Sequence, residues 1–262
     1  MKRLMLVVLG MGLFLAGPTL AGAETLNVGV YPNNPPWEVK QVDGSFTGFE
    51  VDLVNDIAKK LGDEVKFQDL GFQALFAAVS SHRIDMAISS ISITNERLKG
   101  QSFTQGYYDT DMALIANNDS KMKSLADMKG QAIGAISAST GEAWIKEHTK
   151  DYGIADYKGY DSQQNLLLDV QSGRVAGGIG DVAGFLWAFK KMPTMHVVAR
   201  IKTGQQYGIM LPKNAPLLGK VNDAISALKK DGTLSALYKK WLGVAPPKDS
   251  STVKVAPLPH AQ

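Results

Sequence analysis

Short β-type runs and longer helical stretches alternate along nearly the whole of this chain. That alternation restricts the possible fold more than any single motif does. Apolar and β-branched runs predict strands at 26–30, 65–68, 85–89, 111–116, 132–137, 177–180, 196–199 and 207–211. Between them, apolar residues three and four apart predict helices at 49–61, 73–81, 162–172, 182–192 and 217–230. Ser124 with Asp127, and Ser139 with Glu142, have the spacing of capping boxes, and Gly62, Gly173 and Gly232 supply helix stops. Strands and helices taken in turn argue for an α/β protein with largely parallel sheets.

The two ends read differently. Lys2 and Arg3 precede an apolar run from Leu4 to Leu15, Pro18 breaks it, and Ala21-Gly22-Ala23 is a small-x-small cleavage site. Residues 1–23 are therefore expected to be an export signal, too short in its apolar part for a comfortable membrane span. The chain carries 28 basic and 25 acidic residues, and loss of Lys2 and Arg3 brings these close to balance. No nucleic-acid or polybasic membrane partner is implied. With no cysteine there is no disulfide, thiol nucleophile or cysteine metal site. The four histidines are scattered, without zinc spacing, and neither a Gly-x-Ser-x-Gly elbow nor a phosphate loop occurs. No metal or cofactor is expected. An exported, cysteine-free chain reads as a protein of a bacterial periplasm. The tail from Ala245 holds Pro246, Pro247, Pro257 and Pro259 and no periodic apolar face, so it reads as a loose terminus or a surface strap.

The run from Ala87 to Arg97 is the richest in chemistry. A buried strand ends in Ser89, Ser90 and Ser92, and Arg97 follows just inside a helix start at Thr94. Hydroxyls and backbone N–H groups beside a guanidinium suit a carboxylate, to which Arg gives two parallel charge-assisted hydrogen bonds. The same run could also be a strand, a turn and a solvated arginine.

Further residues carry a family resemblance. Pro35-Pro36-Trp37-Glu38, Gly48-Phe49-Glu50-Val51-Asp52-Leu53, Phe72, the Ser89–Arg97 run, Phe103 and Gly106-Tyr107-Tyr108 come in a familiar order. Ser139-Thr140-Gly141, Gly180-Asp181, Gln205-Gln206-Tyr207-Gly208-Ile209, Asp231-Gly232-Thr233 and Tyr238-Lys239-Lys240-Trp241 continue it. In this the chain resembles the polar amino-acid-binding proteins, the family 3 solute-binding components of ABC importers. The resemblance covers essentially everything after the leader. It implies two α/β lobes, each on an open, mostly parallel sheet, joined by two crossing strands. Lobe one would take residues 24–110 and 206–244, lobe two 111–205, and 245–262 would be a tail. It also implies a monomer that captures a free L-amino acid and delivers it to an inner-membrane permease.

The resemblance assigns the site as well. Arg97 and Ser92 would hold the ligand carboxylate from lobe one, and Thr140 and Gly141, at the start of a helix, from lobe two. Asp181 would take the ammonium, with the Ser90 carbonyl and hydroxyl completing that shell, Ser89 would also belong to the site, and Phe72 would stack on the side chain. Thr140 and Asp181 equally suit ordinary helix caps, and Phe72 suits a core position. Where relatives differ in ligand, this chain has Tyr31 in place of an aspartate, Asn34 in place of an aromatic, Ser137 in place of a lysine and Gly180 in place of a histidine. Those substitutions imply a neutral polar ligand. A periplasmic dehydratase on the same scaffold is the alternative, with Glu38 or Glu50 as its acid. A sensor that docks on a receptor is another.

Overall fold

The structure, a computed structural model, describes residues 23–262, so the expected leader lies outside the described residues except for Ala23. The chain opens with β1 (Thr25–Val30) and a small hairpin, β2 (Val39–Lys40) and β3 (Phe46–Thr47). Next come α1 (Phe49–Leu61), β4 (Glu64–Asp69), α2 (Phe72–Ser80), β5 (Met86–Ala87), α3 (Asn95–Gly100) and β6 (Gln101–Phe103). The long β7 (Tyr108–Asn117) leads to β8 (Ala132–Ile136), α4 (Thr140–Tyr152), β9 (Asp156–Tyr160), α5 (Gln163–Gln171), β10 (Gly177–Asp181) and α6 (Val182–Phe189). The chain returns along β11 (Met195–Tyr207) to β12 (Met210–Pro212), α7 (Leu217–Lys230) and α8 (Thr233–Leu242).

Two five-stranded sheets result, in the orders β4-β1-β5-β12-β6 and β11-β7-β10-β8-β9. Each has three parallel strands, β4, β1 and β5 in one and β10, β8 and β9 in the other. Strand β12 runs antiparallel to both β5 and β6, and β7 antiparallel to both β10 and β11. Each sheet anchors one lobe. Strands β7 and β11 pair along nearly their whole length, and their register is interrupted between Ile201 and Gln205, where Gly204 has φ 60°. A glycine accepts that left-handed backbone without strain.

Helix α1 shows why the elements form where they do. Leu53, Val54, Ile57 and Ala58 share its buried face, Glu50 and Asp52 lie in the first turn, and Gly62 closes the helix at φ 78°. That face packs on Val28, Ile225 and Leu228 in the first lobe's main core. In the second lobe Ile133, Ile145 and Ile179 occupy one side of the sheet, and Ile115, Leu166 and Phe185 the other.

The tail is a strap. Ser250, Ser251 and Thr252 are buried. Ser251 N–H donates to Asp109 (2.9 Å) and the Thr252 hydroxyl to the Tyr107 carbonyl (2.9 Å), which ties the tail to the start of β7. Lys229 Nζ reaches Gln105 Oε1 (2.7 Å), the Gly106 carbonyl (2.7 Å) and the Lys254 carbonyl (2.9 Å). Burial lowers this lysine to about 8.

Candidate ligand-binding site

A cavity lies between the two sheets. Tyr31, Asn34, Phe72, Ser90, Ser92 and Arg97 contribute to its wall from the first lobe. Thr140, Gly141, Gln163, Leu166, Asp181 and Phe185 contribute from the second, and Thr110 and Tyr207 from the crossing strands.

Arg97 is part of the first-lobe wall. Thr94 caps its helix, its side-chain oxygen accepting the Arg97 N–H at 3.2 Å. The guanidinium lies 4.9 Å from the Phe76 ring centroid and 5.9 Å from that of Phe72. It donates to the Ser92 carbonyl (2.7 Å) and, across the cleft, to the Ala138 carbonyl (3.0 Å). Burial lowers its pKa to about 10, so it stays charged at neutral pH, with donors left over. Facing it is the start of α4. Ser139 caps that helix by accepting the Glu142 N–H at 3.2 Å, and Glu142 in turn accepts the Ala138 N–H. The first N–H groups of the helix have no intrahelical acceptor and carry the positive end of its dipole. Gly141 sits so close to β10 that a Cβ there would lie 2.5 Å from the Ile179 carbonyl oxygen.

Asp181 lies at the end of β10. Its Oδ1 caps α6 by accepting the Gly184 N–H at 2.7 Å, and its Oδ2 accepts from the Thr110 hydroxyl. Burial raises its pKa, while the bonds from Thr110, Tyr207 and Gly184 work in the opposite direction. Asp111, also in the wall, is engaged by the N–H groups of Thr203 (2.9 Å) and Gly204 (3.3 Å). Elsewhere in the wall Tyr31 meets Phe72 edge-on at 6.2 Å, and its hydroxyl accepts the Gln163 N–H from the other lobe at 3.1 Å. The Ser92 hydroxyl donates to Gln205 Oε1 at 2.9 Å.

Of the residues expected from sequence, Asn34, Phe72, Ser90, Ser92, Arg97, Thr140, Gly141 and Asp181 all meet in this one cavity. Ser89 and Ser137 sit elsewhere. Ser89 is fully buried behind the wall, donating to Glu38 and accepting the Tyr31 N–H at 3.1 Å. Ser137 lines an adjoining recess with Phe72, Tyr160 and Asp161. Thr110, Gln163 and Phe185 carry no sequence signal that marks them as wall residues. Phe185 occupies the space beside Gly180, where a Cβ would approach its ring to 2.9 Å.

Two sheet-based lobes with crossing strands and a polar cavity between them define a cleft-type binding protein for a small solute. The family model for bacterial extracellular solute-binding proteins, family 3, matches residues 26–244, and the chain belongs to that family. The ABC transporter arginine-binding protein 1 of Escherichia coli K12 is 33% identical over 247 residues, covering 92% of this chain and 99% of its own. The L-cystine-binding protein TcyJ of the same strain is 33% identical over 223 residues, covering 84% and 83%. An ancestral arginine-binding protein bound to arginine superimposes with TM-score 0.79 at 36% identity, over 84% of this chain and 98% of that one. An ancestral arginine-binding protein bound to glutamine gives 0.78 at 34% identity, with the same coverage.

Proposed function

We propose that this chain is a periplasmic receptor that captures a free, neutral polar α-amino acid and delivers it to the permease of an ABC transporter. One observation carries the reading: Arg97, the start of α4 and Asp181 line the same cavity. A guanidinium and free amides together with a carboxylate suit the two charges of an amino-acid zwitterion. In this assignment Arg97, Ser92, Thr140 and Gly141 bind the carboxylate, and Asp181 and Ser90 bind the ammonium. Phe72, Tyr31, Asn34 and Gln163 face the side chain. The lobes are assigned as residues 24–110 with 206–244, and 111–205. The relatives' names, with arginine and cystine among their ligands, support an amino acid. A neutral side chain is favoured because both aspartates of the wall are already engaged, Asp111 by hinge amides and Asp181 at the ammonium end. Neither is left to meet a second positive charge.

A dehydratase is disfavoured by position. Glu38 and Glu50 are fully buried behind Ser89 and Ser90 and form no part of the cavity wall, so neither can reach a leaving hydroxyl. A thermal-shift screen of the mature protein against all standard amino acids tests the proposal, since a ligand raises the melting temperature by mass action. Glutamine or asparagine should give larger shifts than arginine, lysine or histidine. A screen led by cationic amino acids would overturn the neutral assignment, and one led by sugars or peptides would overturn the amino acid itself.

A further inference from the structure

Directly behind the ammonium end of the cavity lies a group that the binding scheme leaves unused. Glu38 and Glu50 are both fully buried and neighbours in the fold, the Glu50 N–H donating to the carbonyl of Trp37, the residue before Glu38, at 3.1 Å. Among the described residues neither forms a salt bridge. Their donors are unequal. Glu50 accepts the Ser90 N–H at 2.8 Å and 3.0 Å on its two oxygens, and the Tyr107 hydroxyl as well. Glu38 accepts from the Ser89 hydroxyl and, at 3.4 Å, from Asn34 Nδ2, while its Oε2 has no donor. Asn34 Nδ2 also donates to the Ser90 hydroxyl at 3.0 Å. Ser90 itself has φ 47°, a left-handed backbone uncommon for a residue with a side chain.

We propose that Glu38 and Glu50 act as one positioning unit that holds a single proton, carried on Glu38, and a single negative charge, on Glu50. Together they fix Ser90 against the ligand's ammonium and Asn34 against its side chain. The proposal rests on the amino-acid reading of the cavity. Like charges in contact cannot both ionise in a dry site, so one carboxyl keeps its proton. The donor count says which: Glu50 has the donors that suit an anion, and a proton on Glu38 joins the pair. Burial, then the Glu50 charge, push Glu38 well above its usual range. The other titratable groups acting on the pair are Tyr107, Tyr31 and Asp181, none of them cationic.

Three variants separate this from a merely structural role. Gln at position 38 can donate to Glu50 and accept from Ser89, so Glu38→Gln should bind within about threefold of wild type. Glu50→Gln loses the charge and sets an NH₂ group against the Ser90 N–H, so it should lose tenfold or more, as should Glu38→Ala. Calorimetry with L-glutamine from pH 5 to 8, where the ligand keeps its ammonium, should show wild-type binding weakening toward the upper end and Glu38→Gln binding without that decline. The unliganded wild type should show the infrared band of a protonated carboxyl at pH 7, absent from Glu38→Gln. No such band, or a Glu50→Gln that binds as well as Glu38→Gln, would overturn the proposal. If no amino acid binds even to wild type, the cavity reading fails, and the infrared band still decides the shared proton.

Discussion

Arg97 is the residue on which the two lobes and the ligand scheme converge, since its guanidinium already bonds carbonyls from both sides of the cleft. Its replacement by Ala should weaken amino-acid binding by about 2–5 kcal/mol, the range for truncating a buried, hydrogen-bonded charge. Lys in its place should recover only part of that, for want of the planar fork. Calorimetry on the two variants checks both. The Glu38–Glu50 pair gives a prediction in stability. Its carboxyls have folded-state pKa values raised above the unfolded value of 4.5, chiefly by burial. The native state therefore holds more protons above that pH, and stability falls as pH rises from 4.5 through the folded pKa of the pair. Urea melts at several pH values should show this slope, reduced in Glu38→Gln. Much of the site was legible at this scale because a hydroxyl run and an Arg are chemically conspicuous. Gln163 was not, because a Gln near a helix start carries no signal until the fold brings its backbone N–H to the Tyr31 hydroxyl. Ser89 and Ser90 look equivalent in sequence, yet the positive φ at Ser90 leaves one in the cavity wall and the other behind it.

Among the elements, α4 is the most sensitive to small changes. Ser139→Ala removes its N-cap and should cost about 1 kcal/mol of stability. Gly141→Ala is sharper, because the new methyl meets the Ile179 backbone, which cannot yield as a flexible side chain would. Chemical denaturation should find Gly141→Ala the less stable, and calorimetry should find its affinity reduced. Long amphipathic elements such as α1 and α7 could be read directly, since their apolar stripes match the helical period. The strand β9 could not. Asp156-Tyr157-Lys158-Gly159-Tyr160 has no apolar run, and it pairs on one side only, at the edge of its sheet. Helix α8 could not be read either; its residues carry only motifs of the family resemblance. The tail reads equally as a loose end or a strap, since proline content cannot reveal that Lys229 lies beneath it with carbonyl partners.

For the whole molecule, the crossing pair β7 and β11 with its break near Gly204 is where bending should concentrate. Ligand contacts on both lobes favour the closed form only through their differential affinity. Small-angle scattering should therefore show a smaller radius of gyration with the amino acid bound. An unchanged radius would remove the hinge from the account. The connectivity of the first lobe bears on how the protein comes into being. Strand β12 lies between β5 and β6, although some hundred residues of the second lobe intervene in the chain. During synthesis the first sheet lacks an interior strand until residues 210–212 emerge, just after the fifth strand of the second sheet ends at residue 207. Both sheets are therefore completed late and almost together, before α7, α8 and the tail arrive to cover the first lobe. The order of manufacture leaves the cleft, which needs both halves, among the last things this protein acquires.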